Sequence, residues 1–415
     1  MTTKPFRFTK EFVSERCDSC GRCFAECPVL RLPSQEAKQE LEKLVHAEHS
    51  FVLDRCTGCM DCNSICPQEA NPHTLIMTRW GERCRVEGIP ETARLVLPYQ
   101  ENNLHRTGQQ ALTDREQRRV QAWETNWHTP PACDTMMFAG CNMLLLPFML
   151  DSPLYAELPI FGSLDLCCGE PFYRMGCWDA ARAAAQNVRN EFMRMRLKRV
   201  VVPCLACYHL FKCVYPDVLD VPLDVEVSPI EEWLCERVLK GDMRLTPLNK
   251  TVVLHDNCWP KASGDFLFDK VRELLGLMGI TVMESTHNRE NTLCCGMCAG
   301  AARFHLRDIV GTARTLLREL EDSPAEWAVE YCGGCTWLLS LINQALLSHY
   351  AKPRYHILEL VQLAAGEIPA DRTDQIMGQV MRKMAPRLLG RYIRGGHFPV
   401  EAMAKIPAQN PQDPG

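Results

Sequence analysis

The chain of 415 residues predicts an α+β, multidomain fold: a small α-helical N-terminal module, then a duplicated α/β domain, both rich in cysteine. Three observations predict it. Two Cys-x2-Cys-x2-Cys-x3-Cys-Pro runs, Cys17/Cys20/Cys23/Cys27-Pro28 and Cys56/Cys59/Cys62/Cys66-Pro67, flank a helix-like connector. A second cysteine pattern, a lone cysteine, a Cys-Cys-Gly and a Cys-x2-Cys, occurs twice, at offsets of 117 to 128 residues. Around each copy, short apolar runs alternate with helix-like stretches, the grammar of a parallel α/β sheet.

Composition sets the class. With 46% hydrophobic residues the chain can build real cores, and its length suggests two or three domains. No apolar run reaches the ~18 residues of a membrane span; the most apolar stretch, 136–150, is interrupted by Gly140, Cys141 and Pro147. The N-terminus has neither an apolar h-region nor twin arginines, so no export signal is expected. Twenty-four cysteines without such a signal suit a reducing compartment, where these spacings point to metal before disulfides. A cytoplasmic location is expected, with a peripheral place on the inner membrane face through a partner as its variant. The net charge of −5 gives no case for nucleic acid.

Residues 1–80 form the first predicted module. Its two runs match the two-cluster ferredoxin pattern, in which the fourth cysteine ligates the other cluster. Cys17, Cys20, Cys23 and Cys66 are therefore assigned to one cubane [4Fe–4S] cluster, and Cys56, Cys59, Cys62 and Cys27 to the other. Two zinc sites would leave both prolines unexplained and lack histidine at ligand positions. Pro33-Ser34-Gln35-Glu36 looks like a helix start, followed by Leu41, Leu44 and Val45 at helical spacing. The module reads as a conduit for single electrons.

Residues 81–131 read as a connector, with Trp123 and Trp127 pinning a helix to a neighbouring surface. The repeats follow as 132–245 and 246–365. In the first, strand-like residues from Thr135 lead to Cys141, then Cys167-Cys168-Gly169, a helix 180–198, a strand 199–203 and Cys204/Cys207. In the second, Thr251 onward leads to Cys258, then Cys294-Cys295-Gly296, a helix 301–320, a strand 326–330 and Cys332/Cys335. Each group falls at the carboxyl end of a strand or the amino end of a helix. Ligands bind at that edge of open α/β sheets, and backbone N–H groups there stabilise thiolates. Two such sheets would place their cysteine edges face to face.

These motifs, with the strings Pro203-Cys204-Leu205-Ala206-Cys207-Tyr208-His209 and His255-Asp256-Asn257-Cys258, resemble the paired CCG domains of the heterodisulfide reductase catalytic subunit. With the ferredoxin module in front, residues 10–365 resemble the fused, HdrD-like form. The first repeat is shorter than the usual pattern between Cys141 and Cys167. The resemblance implies two CCG-bound, noncubane [4Fe–4S] clusters, one held by Cys141, Cys167, Cys168, Cys204 and Cys207, the other by Cys258, Cys294, Cys295, Cys332 and Cys335. It also implies that a disulfide is split or formed between them, turnover depending on Cys168 and Cys295. The alternative is a pure relay role, since related CCG proteins serve flavin dehydrogenases or quinone-linked complexes.

His255 and His209, each near a presumed ligand, are candidates to protonate a departing thiolate, although a histidine at a strand end is more often structural. Lys261 and Arg303 could meet an anionic substrate, but basic residues after such loops are usually solvated. The remaining cysteines, Cys84, Cys133, Cys177, Cys213, Cys235 and Cys298, read as packed thiols. No nucleotide fingerprint occurs, so flavin must come from a partner: a flavoprotein, or a membrane protein linked to cytochrome or quinone. Residues 366–415 read as a basic amphipathic helix, through Met377, Val380, Met381, Met384, Leu388 and Leu389, that docks a partner, followed by a disordered tail.

Overall fold

The computed structural model describes residues 6–262, 266–298, 306–345 and 350–399. The N-terminal module is helical: α1 (Arg22–Ala25), α2 (Ser34–Val45), α3 (Val52–Arg55), α4 (Asp61–Ile65) and α5 (Pro72–Glu87). The expected connector helix is α2. It buries Ala37, Leu41 and Leu44 against Phe24, Val52, Ile76 and Trp80, the apolar stripe an amphipathic helix presents to a core. Trp80 donates from its indole N–H to the Leu53 carbonyl at 2.9 Å, tying α5 to the second octet. The boundary expected at residue 80 falls inside α5, because nothing in the sequence breaks that helix before Gly88 (φ 82°).

Each repeat builds a four-stranded parallel sheet. The first joins β2 (Thr135–Phe138), β3 (Ile160–Phe161), β4 (Arg199–Val202) and β5 (Glu226–Pro229) in the order β3-β2-β4-β5. The second joins β6 (Thr251–His255), β7 (Thr281–Glu284), β8 (Trp327–Glu330) and β9 (Arg354–His356) in the order β7-β6-β8-β9. The two orders are the same permutation, which is the duplication expressed as topology. Central strands β2, β4, β6 and β8 are continuous apolar runs because helices cover both faces. The outer strands carry no continuous apolar run to read from sequence: β3 and β9 have two and three residues, β5 begins with an exposed Glu226, and β7 is partly exposed and polar.

The segment expected to be a mere connector is structured and central. Helix Leu104–Gln109 and the capping-boxed helix Asp114–His128 lie along the first repeat. Trp123 is buried, and Trp127 donates to Glu191 at 2.7 Å, as the pinning role requires. A two-residue antiparallel pair, β1 (Ile89–Pro90) with β10 (His397–Phe398), joins this segment to the C-terminal part of the chain.

The C-terminal helix, Thr373–Arg394, corrects an expectation. Its apolar face does not wait for a partner: Ile376, Met377, Val380 and Met384 are buried in the chain's own core. Thr107 contacts Met384 Sδ at 3.3 Å, and Arg372 pairs with Glu116. Leu389 is exposed; the Leu388 side chain, the tail and Arg303 lie outside the described residues. Among those residues, no helix is long and apolar enough to cross a membrane.

Candidate metal centres

In the N-terminal module the octets share one local design. The residues flanking the second cysteine are left-handed: Ser19 (φ 55°) and Gly21 (φ 73°) around Cys20, Gly58 (φ 71°) and Met60 (φ 71°) around Cys59. Such alternation turns successive N–H groups inward and makes a concavity for anions. Gly58 N–H points at Cys56 Sγ (3.4 Å), Leu30 N–H at Cys27 Sγ (3.4 Å) and Ala70 N–H at Cys66 Sγ (3.5 Å). Cys66 is an electrostatic neighbour of Cys20 and Cys23, ahead of Cys27 at Cys23, and Cys27 also neighbours Cys59 and Cys62. Burial pushes the thiols of Cys23, Cys59 and Cys62 well up. A metal cation among them would reverse that penalty.

The two sets of five are assembled alike. In the first, side-chain contacts run Cys141–Cys167–Cys168–Cys207–Cys204. In the second they run Cys258–Cys294–Cys295–Cys335–Cys332, the same order of equivalent positions. The first cysteine of each Cys-Cys pair receives a backbone N–H, Gly169 to Cys167 and Gly296 to Cys294, each at 3.4 Å. Sulfur neighbours, with the Gly169 amide at Cys167 and the Cys298 amide at Cys294, hold both thiols well below the ordinary range. A left-handed glycine is required in both places: a Cβ on Gly169 (φ 82°) would press on Ala184, and one on Gly296 (φ 102°) on the Ile309 backbone.

All ten thiols line one cavity, with an empty volume of ≈ 770 Å³ that includes open solvent. The expected meeting of the two cysteine edges is therefore found. Nine of the ten thiols are buried and Cys141 is half-buried. Asn142 Nδ2 lies 3.6 Å from Cys204 Sγ, and Asn257 Nδ2 lies 3.7 Å from Cys335 Sγ, so an asparagine beside each lone cysteine reaches the Cys-x2-Cys of its repeat, though at different cysteines. Asn142 also accepts from Trp337 Nε1 at 3.1 Å, a hydrogen bond across the repeats. Tyr215 donates to the Cys168 carbonyl at 2.8 Å, and Tyr99, from the supposed connector, accepts from the Cys167 N–H at 3.2 Å.

The histidine candidates move. Neither His209 nor His255 lines the cavity. His209 is buried, bonds the Leu205 carbonyl through Nδ1 at 2.9 Å and stacks on Trp259. His255 is buried at the end of β6 with neither ring nitrogen hydrogen-bonded. The imidazole in the cavity belongs to His105, on Leu104–Gln109, and burial lowers its pKa to about 4, so it is neutral at pH 7. Sequence reasoning missed Tyr99 and His105 because their neighbourhood carries no motif. Asn142 and Asn257 did carry a signal, each being adjacent to the lone cysteine of its repeat.

The second octet abuts the second set. Cys59 and Cys294 line a common cleft. Beside it, Lys261 pairs with Asp61 and donates to the Thr292 carbonyl at 2.5 Å, while Arg174, reaching over from the first repeat, donates to the Gly58 carbonyl. Lys261 is thus not solvated: it is 1% exposed. Burial works against its charge, but Asp61 and the Cys59 thiol outweigh that and hold its pKa above the ordinary value.

Thiolates are the donors iron–sulfur clusters take, and both octets and both sets of five offer them with backbone N–H groups aimed at the sulfurs. The residues present fit such groups. Comparison with known proteins agrees. A 4Fe-4S dicluster domain matches residues 10–68, and a cysteine-rich domain, CCG, matches 151–212 and 252–340. The first CCG match begins after Cys141, which the fold nevertheless brings into the set. The chain is 26% identical over 211 residues to the probable iron-sulfur-binding oxidoreductase FadF of Bacillus subtilis (50% of this chain, 29% of that one). It is 27% identical over 198 residues to one component of the anaerobic glycerol-3-phosphate dehydrogenase of Escherichia coli K12 (45% and 48%). With one component of the dihydromethanophenazine:CoB–CoM heterodisulfide reductase of Methanosarcina acetivorans it shares 25% over 206 residues (48% and 50%). The chain thus matches half or less of the length of these relatives. The two matched domain types, with these similarities, make the chain a CCG-domain iron–sulfur protein, HdrD-like in its domain order.

Proposed function

We propose that this chain carries single electrons through two cubane clusters of its N-terminal module to two CCG-bound, noncubane clusters, and that a disulfide is cleaved or formed between those two sites. The observation that carries the proposal is the single cavity lined by five thiols from each repeat. Cleaving a disulfide takes two electrons and two protons and yields two thiols. Two facing sites accommodate the two sulfurs separately, so no free thiyl radical need form. When bound, the clusters supply one-electron steps and iron for the sulfur. The chain does the rest: Asn142 and Asn257 hold a ligand thiol on each side, and Tyr215 and Tyr99 fix the backbone of the Cys167-Cys168 pair. His105, neutral in the cavity, can offer an N–H to an incoming sulfur. The cleft shared by Cys59 and Cys294 supports electron passage into the second repeat first.

A relay role, joining a flavoprotein or a quinone-linked membrane partner without any disulfide, is the second reading. It is favoured by the likeness to a component of a dehydrogenase. Iron analysis with Mössbauer and EPR spectra of anaerobically purified protein separates the two readings. About sixteen irons, with a signal that responds to added thiol, supports disulfide chemistry; about eight irons in two cubanes removes it. Replacing Cys168 or Cys295 by serine is expected to abolish disulfide turnover and spare the cubane signals. Undiminished turnover in both variants overturns the proposal.

A further inference from the structure

We propose that Cys298 is a sixth thiolate ligand of the second cysteine set, with Arg174 as its buried counter-ion, so that the two CCG sites are unequal. The inference rests on the reading that these sets hold iron–sulfur clusters. The repeats differ at one telling place. Cys294-Cys295-Gly296-Met297-Cys298 aligns with Cys167-Cys168-Gly169-Glu170-Pro171, so the first set has a proline where the second has a thiol. Cys258, Cys294 and Cys298 are buried, and their sulfurs all lie within 4.8 Å of one another. Cys298 also lines the common cavity.

A second observation points to an anion at this spot. Arg174 is fully buried in the first repeat, and its Nη2 has no hydrogen-bond partner. Its Nε bonds Glu170 at 2.9 Å, its Nη1 bonds the Gly58 carbonyl, and its guanidinium lies 4.2 Å from the centroid of the Trp259 ring. Cys298, Glu170 and Cys258 are the acidic groups that act on it. Glu170 and the Gly58 carbonyl take Nε and Nη1, and leave Nη2 of the planar fork open.

The bland alternative is a packed core thiol, and this fold shows what those look like. Cys235 faces the Lys270 carbonyl at 3.8 Å, and Cys177 faces the Met175 carbonyl at 3.8 Å and a single non-ligand thiol, Cys84. Cys298 instead sits against two presumed ligand thiols, with the charge of Arg174 acting on it. On ligation its S–H bond breaks, an Fe–S bond forms and the proton leaves to solvent, as for any thiol ligand. A site with one more thiolate is one charge more negative than its partner, and Arg174, drawn from the other repeat, compensates for it.

The test uses the full-length, anaerobically reconstituted protein. In Cys298→Ser the Mössbauer and EPR signature of one CCG site is expected to shift while the other site and both cubanes keep theirs. Arg174→Gln is expected to perturb the same signal. Wild-type spectra and iron content in Cys298→Ser overturn the proposal. Cys332→Ala is the control for the underlying reading: if it too leaves iron and spectra unchanged, the cluster assignment fails as a whole. Should Cys298→Ser not fold, alkylation of wild-type protein decides. After iron is removed by chelator, Cys298 is expected to react with iodoacetamide alongside Cys258. If it stays as unreactive as Cys235, it is a packed thiol and the proposal falls.

Discussion

Lys261, from the second repeat, and Asp61, one residue before Cys62 in the N-terminal module, form an ion pair that is almost wholly buried. Each comes from a different part of the chain, and each stands beside a presumed cluster ligand. Removing one partner of a buried pair leaves the other charge unmatched, at a cost of about 3–5 kcal/mol. Lys261→Met is therefore expected to loosen the N-terminal module, seen as a lower denaturation midpoint and new protease cleavage near residues 58–61. Lys261→Met with Asp61→Asn is expected to recover part of the loss. Additive losses in that double-mutant cycle would show that the pair does not couple the modules.

Two glycines set how closely α5 approaches the first repeat. A Cβ on Gly81 would overlap the Gly176 carbonyl oxygen, and one on Gly176 (φ 69°) would overlap the Met77 carbonyl. Gly81→Ala is expected to cost at least about 1–3 kcal/mol, the price of overpacking where backbone, not side chain, must yield. Gly276, inside helix Phe266–Leu277, provides the opposite case. Its Cβ would meet nothing within 4 Å, so Gly276→Ala should stabilise by about 0.5–1 kcal/mol. Urea unfolding of the two variants checks both signs at once.

Glu231 is fully buried beside the first repeat's sheet, with neither carboxylate oxygen hydrogen-bonded, and burial pushes its pKa up to about 8. In the unfolded chain it ionises near 4.5. The folded state therefore holds a proton that the unfolded state has released, and stability falls as pH rises from about 4.5 towards 8. The ceiling on this loss is roughly 5 kcal/mol, reduced by any relaxation of the interior. Glu231→Gln, which stays neutral, is expected to flatten the decline between pH 5 and pH 9 in urea titrations. An unchanged slope means the carboxyl is solvated.

The sequence carried the parts of this fold that chemistry makes periodic. Cysteine spacing located the segments that the dicluster and CCG domain matches cover, and the apolar runs at 135, 199, 251 and 327 located the central strands, because buried parallel strands read as continuous hydrophobic stretches. It was silent where a residue acts through tertiary position alone. His105 and Tyr99 sit in a polar stretch that looks like a linker, and only folding carries them to Cys167 and its neighbours. The C-terminal helix shows the converse. Its amphipathic pattern is real, but a pattern specifies that a face will be covered and not by what; here Met377 and Met384 pack into the chain's own core.

The crossed pairing proposed for the two octets has the sharpest spectroscopic test. Cys66 leaves α4 in extended conformation (φ −65°, ψ 114°), and its electrostatic neighbours are Cys20 and Cys23 of the other octet. Cys27 is likewise a neighbour of Cys59 and Cys62, as well as of Cys23 in its own octet. The two groups also differ in setting. Cys17 and Cys20 are half-buried, whereas Cys59 lies beside Asp61, Lys261 and Cys294 in the interior, and burial with neighbouring charge is what separates cluster potentials. Two resolvable cubane signals are thus expected in potentiometric EPR. Cys66→Ser should alter the same signal as Cys17→Ser, and Cys27→Ser the same signal as Cys56→Ser. If Cys66→Ser instead tracks Cys56→Ser, each octet closes on itself and the crossed assignment is wrong.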